Sequence, residues 1–204
     1  MDKFLRKRTR SQSGSEEKEG ASPTKKTKKT TTTRKYLFVI GPGASGGDSA
    51  DLTEVLSTLG RTVGVKKWVG NFPAQLPANK ALLEEAASGA QKKGETVVFC
   101  GHSFGCRVVA SLLKERAVPA VLESYPLFGP SKPKNKGTDR VAPLKEIPAD
   151  RRILFVNGTK DPFLARDWQD GPKGIDALRA VLDDAPFAST CVAVDGAGHN
   201  VLKV

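Results

Sequence analysis

Val97-Val98-Phe99-Cys100-Gly101-His102-Ser103-Phe104-Gly105-Cys106-Arg107 joins a short apolar run to a pentad of the form G-x-S-x-G. The β-branched and aromatic residues before the pentad predict a buried strand. Val108 to Arg116 predicts a helix after it. Strand, pentad and helix in that order are the setting of a nucleophile elbow. Strand and helix nearly touch in such a turn, so side chains two residues either side of the serine would collide. Gly101 and Gly105 remove them. Ser103 is then expected on a strained turn, with its hydroxyl above the sheet.

A pentad is a short motif, and the chain holds a second match, Gly43-Ala44-Ser45-Gly46-Gly47. By itself Ser103 reads either as the nucleophile of a serine hydrolase or as a strand-to-helix turn without chemistry. The order and spacing of the remaining residues decide between them.

The 204 residues suffice for one substantial core. Charge is uneven: residues 1–35 hold twelve Lys and Arg against four acidic residues, net +8, which leaves only +3 for the rest. The first 35 residues have almost no large apolar side chains after Leu5. Such a segment cannot bury enough surface to offset its ordering entropy, so residues 1–35 are expected to be a disordered basic tail. Arg6-Lys7-Arg8 and Lys25-Lys26-Thr27-Lys28-Lys29 have the form of a bipartite nuclear import signal, read by an import receptor. The other reading is a solvated arm that meets nucleic acid only through nonspecific phosphate attraction. Ser22-Pro23 is a thin phosphorylation signal. Cys100, Cys106 and Cys191 show neither disulfide nor zinc spacing and read as small core residues of a reduced compartment. No apolar run reaches the ~20 residues of a membrane span. The N-terminus has no apolar signal core. A nuclear or cytoplasmic, non-secreted protein is expected.

From residue 36 the pattern alternates. Strands are expected at Tyr36–Ile40, Thr62–Trp68, 97–101, Ala120–Ser124, Ile153–Val156 and Thr190–Val194. Helices are expected near Asp48–Leu59, Ala78–Lys93, 105–116 and Gly174–Asp183. Residues 131–150 read as an exposed excursion, and Pro73 and Pro77 as part of a loop. Alternation of this kind implies an α/β domain over 36–204, a doubly wound, mostly parallel sheet of about six strands without a large lid. Ligands of such sheets sit at the carboxyl ends of the strands.

α/β-Hydrolases carry their triad in the chain order Ser, acid, His. Here Ser103 follows the third strand, Asp161 the fifth and His199 the sixth. The chain has two histidines. His102 lies inside the elbow and points wrongly to serve Ser103, which leaves His199, in Gly196-Ala197-Gly198-His199, as the base. Asp161 has rivals in Asp167 and Asp195, and a structural alternative as an Asx-turn before Pro162. Gly41-Pro42-Gly43-Ala44-Ser45-Gly46 also has two readings. As G-x-G-x-x-G it would bind a dinucleotide, but that fingerprint asks for an acid after the next strand, where the chain has Lys66, Lys67 and Trp68. The lysines would then meet a 2′-phosphate. In a hydrolase the loop instead gives one backbone N–H to the oxyanion hole, the second coming from Phe104, the residue after the nucleophile. Ser45 fits the nucleophile role worse, being five residues beyond its strand.

Pro42-Gly43-Ala44-Ser45-Gly46, Gly101-His102-Ser103-Phe104-Gly105-Cys106-Arg107, Ser124-Tyr125-Pro126-Leu127, Leu154-Phe155-Val156-Asn157-Gly158-Thr159-Lys160-Asp161-Pro162 and Gly198-His199 occur in this order. Together, over about residues 36–202, they resemble the α/β-hydrolase-like family of testis-expressed protein 30 and subunit 3 of the non-specific lethal chromatin complex. The resemblance implies Ser103, Asp161 and His199 as the triad and Ala44 and Phe104 as oxyanion donors, and a mechanism through these groups needs no metal or organic cofactor. It departs at the oxyanion loop, where the family usually has His-Gly-Ala and this chain Pro42-Gly43-Ala44. Only five residues follow His199, so a final helix behind the histidine loop is expected to be missing. The leading expectation is hydrolysis of an ester or thioester through an acyl-enzyme. The alternative is a nonenzymatic subunit of a nuclear complex, since the family includes a chromatin-complex member.

Overall fold

A computed structural model of the chain describes residues 35–44, 49–70, 73–129, 140–164 and 171–202. The expected tail lies outside the described residues except for Lys35. Ser22, Ser45, Asp167 and residues 131–139 of the expected excursion also lie outside them.

Six strands form one parallel sheet: β1 (Tyr36–Gly41), β2 (Arg61–Gly64), β3 (Thr96–His102), β4 (Ala120–Glu123), β5 (Arg152–Gly158) and β6 (Ala188–Val194). Their order is β2-β1-β3-β4-β5-β6. The chain leaves β1 in one direction for β2 and returns to build the other half from β3, so the topological switch lies between β1 and β3. That is where doubly wound sheets open a crevice for ligands. The loop after β1 and the elbow after β3 both end there.

The central strands bury both faces, as parallel strands covered by helices must. On one face Leu37, Val39, Phe99, Leu122, Ile153 and Phe155 belong to the main core with the buried side of the helix α3 (Phe104–Leu113). On the other, Phe38, Ile40, Val98 and Cys100 pack against Leu52 and Leu56 of the helix α1 (Ala50–Leu59). Leu52 and Leu56 are four apart and so share one helix face. Each fully buried large side chain contributes about 1.5–3 kcal/mol relative to exposure. The edge strand β6 has only half-buried and exposed residues.

Several boundaries differ from the sequence expectation. The helix α2 spans Leu76–Ala90 and takes in Pro77 in its first turn. A proline is tolerated there because that turn's N–H groups have no intrahelical partner to lose. β2 ends at Gly64, and Trp68 turns out of the strand to a buried position beside Gly41. Residues 140–150 are not an exposed excursion: a one-turn helix, α4 (Ala142–Lys145), buries Leu144, and Ile147 is buried after it. Two apolar residues on a single turn are too few to give a readable period. The last helix, α5, spans Ile175–Asp183 and buries Leu178 and Leu182. Among the described residues no helix is long and apolar enough to cross a membrane.

Candidate active site

Ser103 stands between β3 and α3 with φ 51° and ψ −110°. A serine in that region costs about 1–3 kcal/mol and persists only where its surroundings over-determine it. They do so here. The Ser103 N–H donates to the Glu123 carbonyl at 3.0 Å, which straps the turn to β4. The buried Cys106 thiol donates to the carbonyls of Gly101 and Glu123, each at 3.0 Å. Burial, then the Glu123 charge, hold that thiol far above its ordinary titration range, so it stays a donor. Cys100 is also fully buried, and its thiol is likewise pushed up.

The elbow glycines are fixed by contact. A Cβ on Gly101 would stand 2.5 Å from the Cys106 nitrogen, and one on Gly105 would stand 2.5 Å from the Gly41 carbonyl oxygen. Both clashes are with backbone, which cannot step aside. Gly105→Ala is therefore expected to destabilise the fold by about 3–5 kcal/mol and to lower Tm by roughly 10 °C. Gly89→Ala is the control: Gly89 lies in α2 with open space around it, so the change should stabilise by roughly 0.5–1 kcal/mol. Urea and thermal melts of the two variants check this contrast. Equal melts would mean that strand and helix do not approach this closely.

The His199 ring reaches Ser103 from the loop after β6. Its Nε2 lies 2.8 Å from Ser103 Oγ, and its Nδ1 lies 2.9 Å from Asp161 Oδ2. Asp161 is buried, and its other oxygen, Oδ1, accepts the Phe163 N–H at 2.8 Å. Asp161 therefore closes an Asx-turn with one oxygen and faces the imidazole with the other. Engaging both oxygens offsets the large cost of burying a carboxylate. Asp195 is exposed and accepts from the Thr159 hydroxyl at 3.2 Å instead.

Close packing holds the histidine loop against β5. A Cβ on Gly158 would stand 2.2 Å from the Ala197 carbonyl oxygen, so only glycine admits the loop at this distance. The Lys160 N–H donates to that same carbonyl at 2.9 Å. Phe163 lies edge-on to the His199 ring with centroids 4.4 Å apart, walling one side of the imidazole.

Phe104 begins α3. The first N–H groups of a helix have no partner within it, so this amide is available above the elbow. Ala44 is exposed on the loop after β1. The loop is braced from beneath by Trp68, whose indole Nε1–H donates to the Pro42 carbonyl at 2.8 Å. Trp68 also packs edge-to-face on Phe104, 6.1 Å between centroids, and Arg107 lies over the same Phe104 ring. The close approach that Gly41 allows is thus used by an indole, and the space beside Gly43, where the dinucleotide reading would have placed a pyrophosphate, is taken by the His102 ring.

Sequence reasoning missed a second carboxylate–imidazole pair. His102 and Glu123 are register partners on β3 and β4, and His102 Nδ1 lies 3.2 Å from Glu123 Oε2. The Glu123 carboxylate is buried. The ring edge of His102 rests against Gly43 of the loop after β1, and its centroid is 5.5 Å from that of His199. The signal available in the sequence was an acid ending the apolar run Ala120-Val121-Leu122.

A six-stranded parallel sheet with a strained serine after its third strand and an imidazole over it defines the α/β-hydrolase class. The family model described as an alpha/beta hydrolase domain matches residues 64–180, and the chain belongs to that family. Solved structures agree on the fold. Est1E from Butyrivibrio proteoclasticus aligns with a TM-score of 0.57 at 14% identity, covering 84% of this chain and 82% of that one. A serine hydrolase homologue from Coxiella burnetii aligns at 0.58 and 17%, covering 81% and 77%. A truncated carbohydrate esterase from gut microbiota aligns at 0.58 and 16%, covering 85% and 82%. No curated protein sequence matches the chain.

Proposed function

We propose that the protein is a serine hydrolase that cleaves an ester or thioester through an acyl-enzyme. One observation carries the reading: His199 bridges Ser103 Oγ and Asp161 Oδ2 with contacts of 2.8 and 2.9 Å. Ser103 Oγ attacks the acyl carbon while His199 Nε2 takes its proton. Asp161 accepts the Nδ1–H, fixes the tautomer and stabilises the imidazolium. The Ala44 and Phe104 amides hold the oxyanion, each such donor being worth about 3 kcal/mol of barrier. Collapse of the tetrahedral intermediate expels the alcohol or thiol, which takes the proton from His199. Water then attacks the acyl-enzyme by the same route in reverse order and restores Ser103. Every group in this scheme belongs to the chain, the substrate or the attacking water, and no cofactor takes part.

The Ser124-Tyr125-Pro126-Leu127 segment and Arg107 support a closer kinship with the family of testis-expressed protein 30 and non-specific lethal complex subunit 3. The basic clusters at 6–8 and 25–29 support a nuclear or cytoplasmic protein whose tail engages an import receptor or nuclear partners. Reaction of the purified full-length chain with a fluorophosphonate probe tests the hydrolase reading. Stoichiometric labelling is expected. A folded protein that stays unlabelled would overturn it in favour of a nonenzymatic subunit.

A further inference from the structure

Among the described residues two non-glycine residues have positive φ: Ser103 at 51° and Ser124 at 56°. The first is the elbow serine. The second, one residue past β4, has no part in the chemistry proposed above. Left-handed backbone is the ordinary province of glycine. A serine kept there points to work for its side chain.

Ser124 is fully buried. Its N–H donates to the Val156 carbonyl at 2.8 Å, so its backbone is tied to β5. The left-handed turn aims its hydroxyl across β5 to the loop after β6, where it donates to the carbonyl of His199. The backbone ties of that loop to Thr159 and Lys160 act upstream of the histidine, and Val201 is buried two residues downstream of it. Thr159 Oγ1 accepts the Gly196 N–H at 3.0 Å, and the Ala197 carbonyl accepts the Lys160 N–H. Ser124 grips the residue that carries the imidazole.

We propose that Ser124 is a positioning residue: its strained turn and buried hydroxyl fix the His199 backbone so that the ring spans Ser103 and Asp161. The inference rests on the hydrolase reading for its effect on rate, but its structural part stands without it. The chemical case is one of geometry. The imidazole must meet Ser103 on one side and Asp161 on the other within hydrogen-bond distance, and a drift on the order of 1 Å costs about 10²-fold in rate. The loop contains Gly196 and Gly198, which supply no side-chain packing of their own.

Two variants separate the hydroxyl from the strain. Ser124→Ala keeps a side chain in the left-handed turn and loses the donor. Ser124→Gly loses the donor and the strain together, so it folds even where the alanine variant does not. Each is read by the rate of fluorophosphonate labelling, by kcat and KM on a p-nitrophenyl ester, and by the downfield proton NMR signal of the Nδ1–H between His199 and Asp161. Both variants are expected to acylate roughly 10–100-fold more slowly, with KM within about twofold, and to broaden or shift the downfield signal. A glycine variant with wild-type rate and an unchanged signal overturns the proposal, because the turn would then be mere strain. A wild type that never labels, but whose downfield signal responds to both variants, defeats the hydrolase reading and leaves the positioning of His199 in place.

Discussion

Ser103→Ala is expected to lower kcat/KM on an activated ester by roughly 10³–10⁶-fold, His199→Ala to do the same, and the double variant to do little worse. Groups that work as one unit lose the whole effect when any member goes, so the losses do not add. In the proposed mechanism Ser103 Oγ supplies the electron pair, and Nε2 of His199, 2.8 Å away, takes the proton that would otherwise hold it back. Removing either leaves only substrate binding and the oxyanion amides. The fold should survive both changes, since neither side chain belongs to the buried apolar core. Ser103→Ala shortens the side chain without altering the backbone bonds to Glu123 and Cys106. Steady-state kinetics on p-nitrophenyl acetate and probe labelling decide the matter. A Ser103→Ala enzyme within tenfold of wild type would remove the serine from the mechanism.

Asp161→Asn should lower kcat by roughly 10³–10⁴-fold with the structure intact. The asparagine keeps a carbonyl oxygen for the Phe163 N–H, so the Asx-turn that shapes the loop is retained. What changes is the partner of His199. In the proposed mechanism an ionised Asp161 only accepts, so Nδ1 carries the ring proton toward Oδ2 and the Nε2 lone pair faces Ser103. An amide N–H in its place donates to Nδ1 and moves the ring proton to Nε2, where it blocks acceptance from the serine. Asp195→Asn is the matched control: its carboxylate is exposed and bound to Thr159, and its loss should change kcat by less than about twofold. Equal losses in the two variants would mean that the aspartate acts by general charge and not by setting the tautomer.

Much of this was legible in the chain. The elbow is a local object: a strand, a turn too tight for side chains and a helix, written in adjacent residues. Alternation of apolar runs with amphipathic stretches was enough for the parallel sheet, because crossover helices and buried strands leave that pattern. The order Ser103, Asp161, His199 followed from which strand each residue succeeds. The short elements were not legible. α4 is one turn, and Trp68 looked like the end of a strand because an apolar residue after a β-branched run carries no sign that the chain has turned.

The sequence by itself determined the class of fold, the elbow and the short set of titratable groups from which a site could be built. Spacing, period and glycine placement are properties of neighbours along the chain. Only the tertiary structure decided which of those groups meet. His102 is paired with Glu123 because β3 and β4 are adjacent in register. Asp161, and not Asp195, faces His199 because the loop after β6 packs down on Gly158. Ser124 reaches the His199 carbonyl across 75 residues because β5 lies between their strands. Strand order and register are set by the burial of whole faces at once, and no window of adjacent residues contains that information.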